Sequence, residues 1–167
     1  ITRVRTRYEA EAGGSDVRWT DDNLLTFINE GMENLAEATG FYERYVSIPL
    51  SANRSYYDLR GFTPETVVEI TSVWSTNRTQ WLEPISDLSL DTNWPSDTGS
   101  PLAYWTAGIY WMGVYPFPSS TADSTGYLRV HFKGIPPRFV NTQGVLSDLP
   151  DHFYPALEDY VLYEMAA

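Results

Sequence analysis

The sequence predicts an α+β protein in which N- and C-terminal helices pack with a central antiparallel β-sandwich or barrel-like insertion. Three observations lead there. Apolar residues recur with helical spacing near the start of the chain and again near its end. Between them, from about Tyr42 to Pro137, lie short aromatic and β-branched runs separated by turn residues. With 167 residues, one hydrophobic core is affordable without disulfide or metal, since a domain of about 150 residues buries roughly 70% of its unfolded surface. The expected organisation is a single domain over 1–167: an N-terminal segment and helix over 1–41, a β module over 42–137, and a loop and C-terminal helix over 138–167.

The first helix has the strongest local signals. Thr20 is placed to cap it, and Asp21 and Asp22 occupy the first turn, where the positive end of the helix dipole favours carboxylates. Leu25, Ile28, Met32, Leu35, Ala36 and Thr39 fall on one face, widened by Leu24. Glu30, Glu33, Asn34 and Glu37 fall outside it. Gly40 supplies the stop. Trp19, just before the cap, is expected to staple against the turn near Leu24, so that Trp19, Thr20 and Asp21 form a structural anchor.

In the middle, Leu128, Val130 and Phe132 alternate with Tyr127, Arg129 and His131, and Val68, Ile70 and Trp74 are expected to share one face of another strand. Arg44–Leu50, Ser55–Leu59, Gln80–Ile85, Leu102–Ala107 and Ile109–Tyr115 complete the set. Pro116, Pro118, Pro136 and Pro137 close strands, because proline cannot donate to a ladder. The last helix should begin near Asp151–Tyr154, with Pro155 in its first turn. Phe153, Leu157, Tyr160, Val161 and Met165 should lie along one side.

Composition narrows function by exclusion. There are no cysteines, so thiolate zinc sites, cysteine nucleophiles and disulfide scaffolds are all ruled out. The longest apolar run, Ile109–Val114, is far short of the ~20 residues of a membrane-spanning helix, and no leader pattern is visible. A net charge of −11 opposes broad adhesion to DNA, which depends on lysine and arginine displacing counterions. Such a charge suits a conduit to which DNA should not stick.

No catalytic residue, cofactor site or metal site can be assigned. His131 and His152 lie in different elements without an acid-histidine spacing, and no nucleophile elbow, phosphate loop or zincin helix is present. Asp87, Asp91, Asn93, Asp97 and Gly99 form an oxygen-rich loop, but their spacing does not match a calcium-binding helix-loop-helix, and a solvated loop is the plainer reading. Asn53-Arg54-Ser55 and Asn77-Arg78-Thr79 match the glycosylation acceptor pattern and read as turns. Trp74, Trp81, Trp94, Trp105 and Trp111, with Tyr104, Tyr110 and Tyr115, fill the β module. They read as core and subunit contacts. The alternative is a carbohydrate-binding module, or a glycosidase using Asp87 and Asp91. Arg3, Arg5 and Arg7 alternate, so an extended segment would present them together to the acidic surface of a neighbouring copy or of a larger assembly rather than to DNA, with a solvated terminus as the alternative.

The run Arg18-Trp19-Thr20-Asp21-Asp22-Asn23-Leu24-Leu25-Thr26-Phe27-Ile28-Asn29-Glu30 resembles the opening helix of tailed-phage head-to-tail adaptor proteins, also called connector or neck proteins. A tryptophan and an acidic cap there precede an apolar helix with a central asparagine. Tyr57-Asp58-Leu59 ahead of Phe62-Thr63-Pro64 is similar to later family features, as are Gly99-Ser100-Pro101 before Tyr104, Tyr115-Pro116-Phe117-Pro118, and Leu149-Pro150 before a closing helix. The resemblance implies a structural virion protein rather than an enzyme, at the head-to-tail interface and assembled in the host cytoplasm. It implies copies arranged in a ring, commonly dodecameric, beneath the portal protein. Such a ring extends the DNA channel and docks tail, stopper or nozzle proteins, without cofactor, membrane or sequence-specific DNA contact. Family members usually continue past the closing helix into an arm that docks on the portal. No docking element is assigned within 1–167.

Overall fold

A computed structural model describes residues 1–2, 5–7, 19–86, 90, 94–141 and 149–166. The chain divides into two compact units, Ile1–Tyr42 with Ile135–Ala167, and Glu43–Gly134.

In the first unit, helix α1 spans Asp21–Thr39. Thr20 caps it through a reciprocal box: Asn23 N–H donates to Thr20 Oγ1 at 3.2 Å, and Thr20 N–H donates to Asn23 Oδ1 at 3.2 Å. Two of the amide donors that a helix start leaves unpaired are thereby satisfied. At the other end Gly40 adopts a left-handed conformation and its N–H bonds Ala36 O at 2.8 Å. The buried stripe is Leu24, Ile28, Met32 and Ala36, with Asn29 and Gly31 beside it. It lies slightly to one side of the expected face: Leu25 and Leu35 are half-buried and Thr39 is exposed.

Helix α2 spans Tyr154–Ala166 after a 3₁₀ turn at Asp151–Phe153. Pro155 occupies its first turn, where no intrahelical amide bond is lost. Leu157, Val161 and Met165 are buried in one cluster with Leu24, Ile28, Met32 and Leu149. Gly31 permits this close approach, because a Cβ there would stand 2.6 Å from Leu157 Cδ1 and 2.9 Å from Tyr160.

The second unit is a sandwich of two four-stranded sheets. One has the order β1 (Glu43–Pro49), β8 (Tyr127–Ile135), β3 (Thr66–Ser75), β4 (Gln80–Trp81), and the other the order β2 (Tyr56–Asp58), β7 (Trp111–Tyr115), β6 (Ala103–Ala107), β5 (Glu83–Pro84). Ile48, Val67, Val73, Leu128, Val130 and Phe132 from the first sheet and Tyr57, Tyr104, Met112 and Val114 from the second form one core. The expected alternation of β8 is observed, with Leu128, Val130 and Phe132 inward.

Three strand expectations need correction. In β3 the inward residues are Val67 and Val73, while Val68 is 43% exposed and Trp74 half-buried. The adjacent valines gave the sequence no polar neighbour with which to choose the face. The expected strand Gln80–Ile85 is two strands, since the chain passes from one sheet to the other at buried Leu82. There Leu82 N–H bonds Val73 O at 2.8 Å, and the next amide, of Glu83, bonds Leu102 O at 2.9 Å. The second sheet is also mixed rather than wholly antiparallel, because β5 runs parallel to β6.

Candidate functional site

Antiparallel pairing of β1 with β8 sets Tyr45 opposite His131, Ser47 opposite Arg129 and Pro49 opposite Tyr127. Since Ile48, Leu128 and Val130 point into the core, alternation sends these partners outward. The Tyr45 and His131 rings lie 5.6 Å apart, His131 and Trp81 5.4 Å, and Trp81 and Trp74 5.1 Å. A continuous aromatic strip thus crosses the sheet from β1 to β4. Its outer members are open to solvent, Tyr45 at 59% and Trp81 at 54%. The Arg129 guanidinium lies 5.0 Å over the Tyr45 ring. Beside the strip is a cleft of about 350 Å³, bordered by Tyr45, His131, Thr71 and Ser72 with Glu43 and Arg44.

The other aromatics have a different use. Trp105 is buried, with Tyr56 and Trp94 edge-on against it at 5.5 and 5.2 Å. Its indole N–H has no acceptor among the described residues, so this ring serves packing. A sugar-binding platform would have to use exposed rings, which in this unit are Tyr45, Tyr56, Trp81, Trp111 and Tyr127. The carboxylates proposed to accompany it, Asp87 and Asp91, lie outside the described residues, as does Asn93 of the oxygen-rich loop. Asp97 of the same loop accepts a hydrogen bond from the Tyr115 hydroxyl at 2.6 Å.

Among the described residues no group of three His, Asp or Glu side chains could hold a metal. His131 belongs to the aromatic strip, and His152 packs on Phe153 at 4.2 Å. The resolved pKa shifts have structural causes. Burial raises the Tyr57 and Tyr104 hydroxyls, and the Arg60 guanidinium, hydrogen-bonded to Asp58, holds that carboxyl below its usual range.

Trp19 is half-buried, packs edge-on against Phe27 at 5.5 Å, and donates its indole N–H to Met165 O at 3.0 Å. Thr20 is the cap described above, and Asp21 accepts from Arg5 at 2.6 Å. Residues 5–7 are helical rather than extended. Arg7 lies 2.8 Å from Asp159 and 3.7 Å from Glu158. Arg3 lies outside the described residues.

Sequence reasoning treated Tyr45, Trp81 and His131 separately. Only the β1–β8 register and the crossing at Leu82 bring them together, and neither can be read locally.

The family model for the SU10 adaptor protein matches residues 1–167. The chain belongs to the SU10 adaptor protein family. No curated protein matches it. The family is one of structural phage adaptors and not a known enzyme class, so this adaptor is a viral structural protein of the neck and a component of the virion. No helix among its described residues is long and apolar enough to cross a membrane.

Proposed function

We propose that this adaptor assembles as a ring, dodecameric in the arrangement common to head-to-tail adaptors, beneath the portal protein. There it extends the DNA channel and docks tail, stopper or nozzle components, and it assembles in the host cytoplasm. The observation that carries this reading is the match of the adaptor family to the whole of residues 1–167. A net charge of −11 supports a conduit role, because like charges keep DNA from adhering to the wall.

Arg3, Arg5 and Arg7 belong in this reading to a contact with the portal or with a neighbouring copy. The exposed pairs that Arg5 and Arg7 make within the chain are each worth only ~0–1 kcal/mol. Because Arg7 also lies 3.7 Å from the largely buried Glu158, neutral Gln replacements of all three, rather than charge reversals, are the variants expected to weaken portal binding, most at low salt, while the fold is kept.

The test is to mix purified adaptor with portal and image the complex by electron microscopy. A ring of adaptor density coaxial with the portal is expected. Absence of binding across a range of ionic strengths would overturn the role.

A further inference from the structure

We propose, resting on the ring reading above, that the outward face of the β1–β8–β3–β4 sheet receives the outward face of α2 from a second copy of the chain. The contact is head-to-tail and repeats from copy to copy.

The sheet contributes exposed rings and an uncompensated cation. Tyr45 and Trp81 are each more than half exposed. Arg129 is exposed and rests on the Tyr45 ring, with no carboxylate partner among the described residues. A guanidinium held on an aromatic ring is already ordered, so less freedom is lost when a carboxylate reaches it.

Helix α2 supplies the matching surface. Leu157, Val161 and Met165 are buried in the cluster that includes Leu24, Ile28 and Met32 of α1. A helix covered on one side only should be polar on the other. α1 obeys this, since Ala38 is the one apolar residue among its exposed positions Asp21, Asp22, Asn23, Thr26, Asn34, Glu37, Ala38 and Thr39. α2 does not: its exposed stripe is Ala156, Asp159, Tyr163 and Ala166, with Tyr163 69% exposed. Three of those four residues are not charged, and the fourth, Asp159, is already paired with Arg7 at 2.8 Å.

Charge selects the pairing. The unit containing α2 holds 13 Asp and Glu against five Arg, a balance of −8, while the sandwich holds nine against six Arg and Lys, a balance of −3. Sheet against sheet would set Arg129 and His131 of one copy near their own counterparts. Helix against helix would set two copies of the more acidic unit against each other. Sheet against helix avoids both, bringing Arg129 to the acidic unit and the aromatic strip to Tyr163 and the alanines. Such a contact is heterologous, with the two patches on different surfaces, and heterologous contacts build rings or filaments rather than closed dimers.

The absence of native cysteine makes the test clean. Ser47, exposed and opposite Arg129, and Ala156 on α2 are replaced singly, as Ser47→Cys and Ala156→Cys. The two variants are mixed with a short bis-maleimide, free at high concentration and again on the portal. Cross-linked dimers containing both variants are expected in the mixture, in excess over those in either variant alone. Adding Trp81→Ala and Arg129→Glu to the Ser47→Cys chain should lower the mixed yield about tenfold, equivalent to roughly 1.4 kcal/mol. Ser47→Cys cross-linking to itself as well as in the mixture, or only to portal, overturns the contact. Portal-bound adaptor with no mixed cross-link overturns it while leaving the adaptor role intact. Mixed cross-links without portal binding overturn the role beneath the portal and leave the contact standing.

Discussion

Trp105 and Trp81 show how little a residue type reveals about its use. Both are tryptophans in short aromatic strands, yet one is buried and the other more than half exposed. The difference lies in the partner strand. Trp105 is paired with Gly113, and a Cβ at that position would overlap the six-membered part of the Trp105 indole. Glycine is thus required for the ring to lie across its neighbour's backbone. Gly113→Ala should lower stability by about 3 kcal/mol, the upper end for overpacking a close-packed site. The denaturant midpoint measures it, and combining the change with Trp105→Leu should recover part of the loss, since residues in contact are coupled. Trp19 works differently, because its indole N–H satisfies one of the last carbonyls of α2, which a helix end otherwise leaves unpaired. Trp19→Ala should cost about 3 kcal/mol, the low end for a tryptophan because the ring is only half-buried. Trp19→Phe should cost about 1 kcal/mol, the worth of the hydrogen bond alone. An alanine variant with the parent's midpoint would remove Trp19 as an anchor.

At the scale of elements, local patterns carried much of the fold and non-local choices did not. Thr20, Asp21, Asp22 and Gly40 marked the ends of α1 because capping is decided within a turn. Pro116 and Pro136 each directly follow a strand end, at Tyr115 and Ile135, for the equally local reason that they lack a donor. The face of β3, the transfer of the chain between sheets at Leu82 and the β1–β8 register depend on residues far apart in sequence. The aromatic strip was missed for that reason. Asn29 is the element-scale residue whose role only the structure supplies. It is buried in α1, donating from Nδ2 to Phe139 O at 3.0 Å and accepting from Phe139 N–H at 2.8 Å. One side-chain amide thereby imitates a strand partner and fixes the segment leading from β8. Beside it Arg138 makes a two-pronged pair with Glu33 at 2.7 and 2.9 Å. Asn29→Asp should be at least as damaging as Asn29→Ala, because a carboxylate keeps the acceptor but faces the Phe139 carbonyl without a donor. Each should cost about 2–3 kcal/mol, the penalty for leaving buried backbone groups unpaired. Hydrogen exchange of the Phe139 amide is the direct measurement. Protection unchanged in both variants would show that the segment is held by other contacts.

At the scale of the whole molecule, the distribution of charge and apolar surface sets how copies come together. Both units are acidic, so two free copies repel at long range, and the repulsion weakens as salt shortens the Debye length. Most large apolar side chains of α1 and the strands are already enclosed in the chain's own two cores. What remains outside among the described residues, led by Val140, Tyr163, Tyr45, Ile109, Trp81 and Tyr127, is scattered over both units, which favours modest contacts over the extensive apolar interfaces typical of permanent oligomers. The protein alone is therefore expected to sediment as a monomer or small oligomer, with self-association increasing as salt rises. On the portal the outcome changes. Neighbouring copies held on a common platform meet at high effective concentration, so side-to-side contacts that are weak in solution become intramolecular and add together. On the proposed ring reading, assembly is expected to be ordered in time, with the adaptor ring forming only on the portal. Sedimentation velocity of adaptor alone, of portal alone and of the mixture, at matched ionic strength, distinguishes the cases. A long-lived ring formed by the adaptor alone would overturn templating and leave its place beneath the portal intact. A mixture in which bound adaptor increases with portal concentration, while free adaptor stays a monomer or small oligomer, is the expected result.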